Sequence, residues 1–395
     1  MTTEEFNKKA QELHQKTPGK LELKSPLPLN TREDLSLLYT PGVGSICKAI
    51  ANDKSKALQY TSKANSIAVI SDGSAVLGLG NIGPEAALPV MEGKAIIFKK
   101  FADLNAWPIV IGTENIKDII KTIKNISPGF AGINLEDFAA PKCFEIEAEL
   151  QNLGIPVMHD DQHGTAIVAY AALLNACKVS DKDFEDLTVV VNGAGAAGIA
   201  ITKMLTDFEG KIGKKVANVI ICDSKGIIHR DRDDLNLYKR ELIPYINTGN
   251  LQGTLEMALH QSDVFMGVSV AGALKPEWIK NMNEKPIIFA MANPIPEIYP
   301  NTAEKNGAFI TATGRSDFPN QINNALVFPG IFKGAIQNRL PNINIEMKAL
   351  AAHAIAKTIE PTQKNLLPNI FNIELVPNIV EAITSYAKSR EVIFS

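Results

Sequence analysis

Acidic side chains cluster at two places where short apolar segments end. Glu136 and Asp137 lie just beyond the apolar residues 129–133, and Asp160 and Asp161 follow residues 154–158. Both segments predict buried strands, and open α/β sheets bind ligands at the carboxyl ends of their strands. Glu136, Asp137 and one of the two later aspartates are therefore expected to converge on one cation. Such oxygen ligands favour Mg²⁺ or Mn²⁺, although acids after strands also commonly cap helices.

A glycine-rich motif follows the β-branched, apolar residues 187–192 and precedes a predicted helix at residues 199–208. Glycines at this spacing allow a tight turn, close approach of a pyrophosphate and close packing of helix on strand. The amides at the helix N-terminus are donors for phosphate groups. The predicted dinucleotide-binding residues are Gly193, Gly195, Ala196, Ala197 and Gly198.

The next predicted strand, residues 216–222, ends at Asp223. A carboxylate there can accept a hydrogen bond from a ribose 2′-hydroxyl and would repel a 2′-phosphate, which favours NAD. Lys225, Arg230 and Arg232 lie just beyond it and could instead meet a 2′-phosphate, so NADP stays possible.

Two further side chains have chemistry that depends on their surroundings. Lys94 lies among apolar residues of a predicted helix at residues 85–101. Such surroundings lower a lysine pKa and make the amine a usable base, whereas a lysine that extends to water is the common alternative. Tyr39 lies at a predicted helix end beside a Pro-Gly turn, and by itself it predicts only a half-buried packing residue.

Zinc and nucleophilic hydrolysis have little support in the sequence. His159 and His163 are four residues apart, a spacing that can bind zinc on a helix face. They are predicted to flank a strand end and a loop, and the neighbouring acids favour a harder metal. The sequence has no GxSxG motif.

These residues must be positioned by a regular alternation of strands and helices. Strands are predicted at 66–70, 107–111, 130–135 and 155–158, with helices at 3–16, 115–126, 143–153 and 165–177. After a polar break at 180–185, strands recur at 187–192, 216–222, 263–269 and 286–291, and Asn293 follows the last of them. This pattern predicts an α/β fold with parallel sheets, and the boundary between two domains is expected between residues 160 and 185.

Composition limits the class of protein. The 395 residues carry a net charge of −3, with 45% hydrophobic and 21% charged residues. A chain of this kind is expected to be globular, with no nucleic-acid partner and no membrane span. Four dispersed cysteines and acid near the N-terminus predict a reduced protein in the cytoplasm.

Taken together, the motifs resemble the malic enzyme family in its short bacterial form. The matching segments are residues 39–43, 71–73, 77–80, 92–94, 134–138, 159–166, 192–198, 292–294 and 323–324. The resemblance implies an N-terminal α/β malic-type domain at residues 1–162. It also implies a doubly wound, Rossmann-like NAD-binding domain at residues 163–395 that includes the C-terminal helices.

The resemblance also implies a reaction: oxidative decarboxylation of (S)-malate to pyruvate and CO₂ with reduction of NAD(P), with oxaloacetate decarboxylation as a partial reaction. Glu136, Asp137 and Asp161 are then the ligands of a divalent cation. Lys94 resembles the general base, Tyr39 the acid that protonates the enolpyruvate, and Asp160 a partner of Lys94 or of the metal site. Asn293 and Asn324 resemble contacts to substrate or nicotinamide.

One position departs from the family pattern. Larger members carry an arginine that pairs with a substrate carboxylate where this chain has Ala75. Ser74, Lys99 and the two asparagines are the candidate replacements. The resemblance further implies a homodimer in which Tyr39 completes the partner's site.

Two other functions remain open from the sequence alone. One is a metal-dependent decarboxylase acting on oxaloacetate without net redox chemistry, and the intact glycine motif argues against it. The other is a catalytically silent dinucleotide-binding sensor. The joint presence of the tyrosine, the lysine and three metal-type carboxylates argues against that reading.

Overall fold

The computed structural model describes residues 3–17, 19–77 and 79–394, and it contains two separate parallel sheets. The first sheet has four strands in the order β2-β1-β3-β4, all parallel. They are β1 (Ser66–Ser71), β2 (Asn105–Val110), β3 (Gly132–Leu135) and β4 (Val157–His159). The helices of this half are α1 (Thr3–Lys16), α2 (Arg32–Leu38), α3 (Val43–Asn52), α4 (Ala57–Tyr60), α5 (Pro84–Ala102), α6 (Ile116–Ile126) and α7 (Lys142–Leu150).

The second sheet has six strands in the order β10-β9-β8-β5-β6-β7, parallel except for the last pair. They are β5 (Thr188–Asn192), β6 (Asn218–Asp223), β7 (Gly226–Ile227), β8 (Val264–Gly267), β9 (Ile287–Ala290) and β10 (Ile310–Thr313). The helices are α8 (Asp160–Ser180), α9 (Ala196–Leu205), α10 (Leu237–Arg240), α11 (Leu255–Leu259), α12 (Pro300–Lys305), α13 (Phe328–Gln337), α14 (Ile345–Lys357) and α15 (Leu375–Phe394). The predicted α/β class with parallel sheets is confirmed.

Helix α8 connects the two halves and is buried over most of its length. It begins directly after β4, so residues 160–163 are helical where we expected a loop. His159 is the extended N-cap residue, and Asp160 and Asp161 occupy the first turn, where the helix dipole stabilises negative charge. The predicted domain division at residues 162 and 163 falls inside this continuous helix and stays a prediction.

The C-terminal helices pack back onto the first half. On α13, the rings of Phe328 and Phe332 lie 4.7 and 5.6 Å from the ring of Phe98 on α5. All three side chains are almost fully buried, and burying one such side chain contributes about 1.5–3 kcal/mol. Helix α5, which carries Lys94, is therefore held in place by residues more than 200 positions later in the chain.

The N-terminal segment contrasts with this core. Helices α2 and α3 contain no buried residue. Their surroundings expose many large apolar side chains: Leu21, Leu23, Leu27, Leu29, Leu35, Leu37, Leu38 and Tyr39. Within the described ranges, none of the helices is both long enough and apolar enough to cross a bilayer.

Candidate active site

A cavity of about 520 Å³ lies where the carboxyl ends of both sheets meet. Parallel sheets bind ligands at this edge because their strand ends and helix N-termini converge there. Lys94 of α5 and Thr165 of α8 contribute to the wall. The other lining residues that bear on function are Ala75, Glu136, Asp137, Asp161, Ala196, Ala197, Val268, Ser269, Ala292, Asn293, Asn323 and Asn324.

Three predicted metal ligands meet at one side of this cavity. One carboxylate oxygen from each of Glu136, Asp137 and Asp161 lies within 4.8 Å of the other two. The backbone N–H of Asp137 donates to Asp161 Oδ2 at 2.7 Å, and Asn134 Nδ2 donates to Glu136 Oε2 at 2.9 Å. Asp137 adopts a left-handed conformation with a φ of 57°, which turns its side chain toward the others.

The electrostatics of this cluster fit a divalent cation. Burial and the nearby Asp161 raise the pKa of Glu136 well above its usual value, and the same causes raise the pKa of Asp137 to about 8. Asp137 Oδ2 is buried and has no hydrogen-bond partner among the described residues. Carboxylates held this close repel each other, and a hard cation such as Mg²⁺ or Mn²⁺ would relieve that repulsion.

Lys94 is buried beside this cluster, in an ion pair with Asp160. Its ammonium also lies 3.1 Å from Glu136 Oε1 and 4.4 Å from the centre of the Phe328 ring. Burial alone would lower the pKa of Lys94, but the charges of Asp160 and Glu136 outweigh burial and raise it. Our expectation of a lowered pKa is therefore wrong for this structure, because apolar sequence neighbours do not reveal carboxylates brought in by folding.

The two adjacent aspartates of α8 have different partners. Asp160 is fully buried against Lys94, and its second oxygen, Oδ1, has no partner among the described residues. Asp161 faces the carboxylate cluster. Successive residues of an α-helix point about 100° apart, so neighbouring acids reach different groups.

The glycine-rich turn has the geometry that its sequence predicts. Gly193 has a φ of 118°, and a Cβ there would lie 2.5 Å from the Val268 carbonyl oxygen. A Cβ on Gly198 would lie 1.7 Å from the Gly193 carbonyl oxygen, so only glycine lets α9 approach β5 this closely. Apart from its chain neighbours, no atom of the described residues would lie within 4 Å of a Cβ on Gly195, which leaves space for a ligand there.

Asp223 ends β6 as predicted, but its carboxylate already has partners. Arg232 donates to both oxygens at 2.8 and 3.1 Å, and Lys239 Nζ donates at 2.6 Å. Burial would raise the pKa of Asp223, but these contacts and the Lys225 N–H lower it overall. Lys239, on α10, was not recognised in the sequence, since it lies 16 residues from the acid that it contacts.

The candidate substrate contacts divide into two groups. Asn293 and Asn324 line the cavity, as does Ala75. Ser74 is absent from the cavity wall: its hydroxyl donates to Asp72 Oδ1 and accepts from the Ala139 N–H. Lys99 is exposed and paired with Asp103. The structure therefore gives Ser74 a role in holding the loop after β1, and it offers no contact from Lys99 to the cavity.

Tyr39 lies outside the cavity wall of this single chain. It is the C-cap residue of α2, and 67% of its surface is exposed. A capping box formed by Thr31 and Asp34 starts this helix.

A further polar network joins α7 to the N-terminal end of α8. Glu147 of α7 accepts the His159 N–H at 2.9 Å and pairs with His163 Nε2 at 2.8 Å. Burial would raise the pKa of Glu147, but His163, Lys348 and His159 outweigh it and lower the pKa to about 2. His163 thus pairs with the Glu147 carboxylate, on the side of α8 that faces α7. In the sequence, nothing distinguishes Glu147 from an ordinary helical glutamate.

A glycine-rich turn at the carboxyl end of a parallel sheet, facing a buried lysine across one cavity, is typical of a Rossmann-type oxidoreductase. Two family models match the chain: "Malic enzyme, N-terminal domain" over residues 18–151 and "Malic enzyme, NAD binding domain" over residues 162–388. The chain belongs to the malic enzyme family, and the resemblance noted in its motifs is confirmed.

Individual relatives agree with this assignment. The chain is 52% identical to the NAD-dependent malic enzyme of Geobacillus stearothermophilus, over 93% of this chain and 77% of that protein. It is 49% identical to the bifunctional malic/malolactic enzyme of Bacillus subtilis, over 98% of this chain and 94% of that protein. The crystal structure of the NAD-dependent malic enzyme from Thermotoga maritima superposes with a TM-score of 0.91 at 50% identity, covering 95% of this chain and 98% of that one.

Proposed function

We propose that this protein oxidatively decarboxylates (S)-malate to pyruvate and CO₂, with NAD as the preferred oxidant and NADP as the alternative. The observation that carries the proposal is the buried Lys94, which contacts Asp160 and Glu136 and faces the glycine-rich turn across one cavity. A base, a cation site and a dinucleotide turn are the three parts that this reaction requires of the protein.

Glu136, Asp137 and Asp161 are the proposed ligands of Mg²⁺ or Mn²⁺. When bound there, the cation would polarise the C2 oxygen of malate and stabilise the enolate left after CO₂ departs. The three carboxylates line one side of the cavity, so a cation held by them would be accessible to malate from the cavity. The side-chain amides of Asn293 and Asn324 are proposed to bind the substrate or the nicotinamide.

Lys94 is the proposed general base for the C2 hydroxyl. Its amine must be neutral to accept that proton, whereas Asp160 and Glu136 keep it charged in the structure described here. Use of Glu136 as a cation ligand weakens that attraction, so Lys94 loses its proton more easily when the site is complete. Asp160 then remains as the partner that holds the amine in position.

Cofactor choice is proposed to depend on the Asp223 cluster. The carboxylate favours the ribose 2′-hydroxyl of NAD, while Arg232 and Lys239 compensate its charge. The cluster therefore combines an acid that disfavours a 2′-phosphate with bases that would bind one. We infer a preference for NAD with measurable use of NADP.

Tyr39 is the proposed acid that protonates the enolpyruvate carbon, and we propose that it acts in the partner subunit's site of a homodimer. Its exposure and the exposed leucines around α2 support this, since contiguous exposed apolar surface marks an interface. A phenol that is to act in catalysis needs a desolvated position, which a partner subunit would supply.

Initial rates test the proposal directly. Malate with Mn²⁺ should reduce NAD and release pyruvate, EDTA should abolish the rate, and NADP should give a lower kcat/KM. Oxaloacetate should be decarboxylated without a nicotinamide as a partial reaction of the same site. No reduction of either nicotinamide by folded, Mn²⁺-loaded protein would overturn the proposal. Oxaloacetate decarboxylation alone would then indicate a lyase, and dinucleotide binding alone a sensor.

A further inference from the structure

A second cavity lies behind the first turn of α8, on the side away from the candidate active site. It has a volume of about 500 Å³ and is bounded by α7, α8, α9 and α14. We call it the rear cavity; the lining residues that matter here are Glu147, Gln162, His163, Lys203 and Lys348. Gln162 and His163 lie directly after Asp161, so one helical turn contributes to both cavities.

Lys348 of α14 is the unusual residue of this cavity. Its side chain lines the cavity, yet only 8% of the residue is exposed. Within the described part of the chain, its ammonium forms no hydrogen bond and no ion pair within 4 Å. Burial lowers the pKa of Lys348, and Glu147 only partly offsets that effect. The ammonium therefore reaches the cavity without a carboxylate partner among the described residues, and an anion in the cavity would supply the acceptor.

A second donor in the same cavity also lacks an acceptor. Gln162 is 4% exposed, and its Nε2 is buried with no partner among the described residues. Most buried polar side chains in folded proteins are hydrogen-bonded. Lys348 and Gln162 line the same cavity, and neither has an acceptor for its donor among the described residues, which favours a bound group that offers acceptor oxygens.

The carboxylates that line the rear cavity do not act as acceptors for Lys348 and Gln162. Each of them already contacts a lysine, a histidine or a backbone N–H. Glu147 accepts from His159 and pairs with His163. Glu241 lies 3.8 Å from Lys203, and Glu209 lies 3.0 Å from Lys211. These carboxylates also limit the negative charge that a ligand can carry, because they would repel a polyanion such as a nucleotide. A compact group with one concentrated charge fits best.

We propose that the rear cavity binds a small oxyanion, either inorganic phosphate or a simple carboxylate, between Lys348 and Gln162. A charge-assisted hydrogen bond from Lys348 and an amide hydrogen bond from Gln162 would hold the oxyanion. This site shares no lining residue with the carboxylate cluster or with the glycine-rich turn.

Calorimetric titration of the metal-free and nucleotide-free protein tests the proposal. Phosphate and acetate are titrated separately, at constant ionic strength, into the wild type, Lys348→Met and Lys357→Met. Lys357 is an exposed lysine at the end of the same helix and is the matched control. The glycine-rich turn is identical in all three proteins, so any binding of phosphate there cancels in the comparison.

We expect Lys348→Met to weaken binding of one oxyanion by about tenfold or more, and Lys357→Met to leave it unchanged. Binding of phosphate alone identifies a phosphate site, and binding of acetate alone a carboxylate site. Equal binding by wild type and Lys348→Met, or no binding of either oxyanion, would overturn the proposal. Malate, cation and nicotinamide are absent, so failure of the proposed enzymatic function leaves this result unaffected.

A second variant covers the case in which Lys348→Met does not fold. Lys203 is 32% exposed and its ammonium lies over the Phe208 ring, so Lys203→Met should be tolerated. It should weaken the same oxyanion about threefold by removing a neighbouring positive charge. Crystals soaked in the bound oxyanion should show density beside Lys348, and an empty rear cavity would contradict the proposal.

Discussion

At the scale of single residues, the candidate active site is dominated by charges that only a ligand can balance. Four carboxylates and one ammonium lie together, and Asp160 and Glu136 are both in contact with Lys94. The same contacts that raise the pKa of Lys94 make it compete with a cation for Glu136. In the proposed mechanism, Glu136 therefore exchanges its contact with Lys94 for a contact with the cation.

Replacement of Lys94 by alanine should separate cation binding from catalysis. Activity should fall by about 10²–10⁴-fold, the usual contribution of a general base. Mn²⁺ should bind about tenfold more tightly, because a positive charge 3.1 Å from Glu136 Oε1 is removed. Titration followed by electron paramagnetic resonance measures the affinity. Lys99→Ala, on the exposed side of the same helix, is the control, and weaker Mn²⁺ binding by Lys94→Ala would contradict the expectation.

The same variant should also lose stability when Mn²⁺ is absent. Its buried Asp160 and Glu136 would be left without their common cation, which typically costs about 3–5 kcal/mol. Denaturant unfolding in EDTA should detect the loss, and added Mn²⁺ should restore part of it by pairing with Glu136. An unchanged midpoint in EDTA would mean that the ion pairs contribute nothing to stability.

Cofactor preference should change when Asp223 is neutralised. Asp223→Asn removes the acid and releases Arg232 and Lys239 to meet a 2′-phosphate. The ratio of kcat/KM for NADP to that for NAD should rise at least about tenfold, the effect of one charge-assisted contact. Asp231→Asn, an exposed acid in the following loop, should leave the ratio unchanged. If Asp223→Asn also leaves it unchanged, this cluster does not decide cofactor choice.

At the scale of elements, the close approach of α9 to β5 and the first turn of α8 form the two main walls of the site. Glycine is required at Gly193 and Gly198 for packing, whereas Gly195 has free space around its missing side chain. Successive residues of α8 point in different directions. In its first turn, Asp160 contacts Lys94, Asp161 belongs to the carboxylate cluster, and the next two residues line the rear cavity. A single helical turn therefore contributes to three different environments.

The three glycines should therefore respond differently to substitution. Gly198→Ala should destabilise the fold by about 3 kcal/mol or more, since its Cβ would meet the Gly193 carbonyl oxygen at 1.7 Å. Gly195→Ala should fold with an unchanged melting temperature but bind NAD at least about tenfold more weakly, because its methyl enters the space for the pyrophosphate. Thermal unfolding and NAD fluorescence titration measure both. Tight NAD binding by Gly195→Ala would argue against a pyrophosphate at this turn.

At the scale of the whole molecule, the single chain leaves its N-terminal segment uncovered. Helices α2 and α3 bury no residue, and Tyr39 is exposed away from the cavity that it is proposed to serve. A symmetric dimer would cover this surface and deliver each Tyr39 to the other subunit. Assembly would then be part of the catalytic site and not only a source of stability.

Complementation between two inactive variants tests shared sites. Tyr39→Phe and Lys94→Ala subunits should each have very low activity as homodimers, but a mixed dimer would contain one site with both native residues. Random mixing should therefore restore about a quarter of the wild-type rate. Mass spectrometry of the intact mixture confirms that heterodimers form. Confirmed heterodimers without activity would place Tyr39 in the site of its own chain.

Much of the architecture was predictable because it depends on local pattern. The bounds of α1 agree with the prediction, and the eight predicted strands agree to within about two residues, the usual error at element ends, whereas β7 and β10 were not predicted. The Glu136–Asp137 pair and the glycine-rich turn were predictable because residues at the ends of parallel strands must meet at one edge. The loop expected at residues 160–163 was wrong, because α8 begins directly after β4 and the acids fit its first turn.

The sequence by itself determined which residue types stand at the strand ends, and hence the fold class, the family and the chemistry available. The tertiary structure alone decided how those residues are paired. It set Asp160 against Lys94 and Asp161 against the cation cluster, joined Asp223 to Arg232 and Lys239, and turned Ser74 away from the cavity. It also placed Lys348 and Gln162, almost 200 positions apart in the chain, in the wall of one cavity. The physical reason is that a side chain's charge state and partners depend on neighbours in space, which distant segments supply only when the chain has folded.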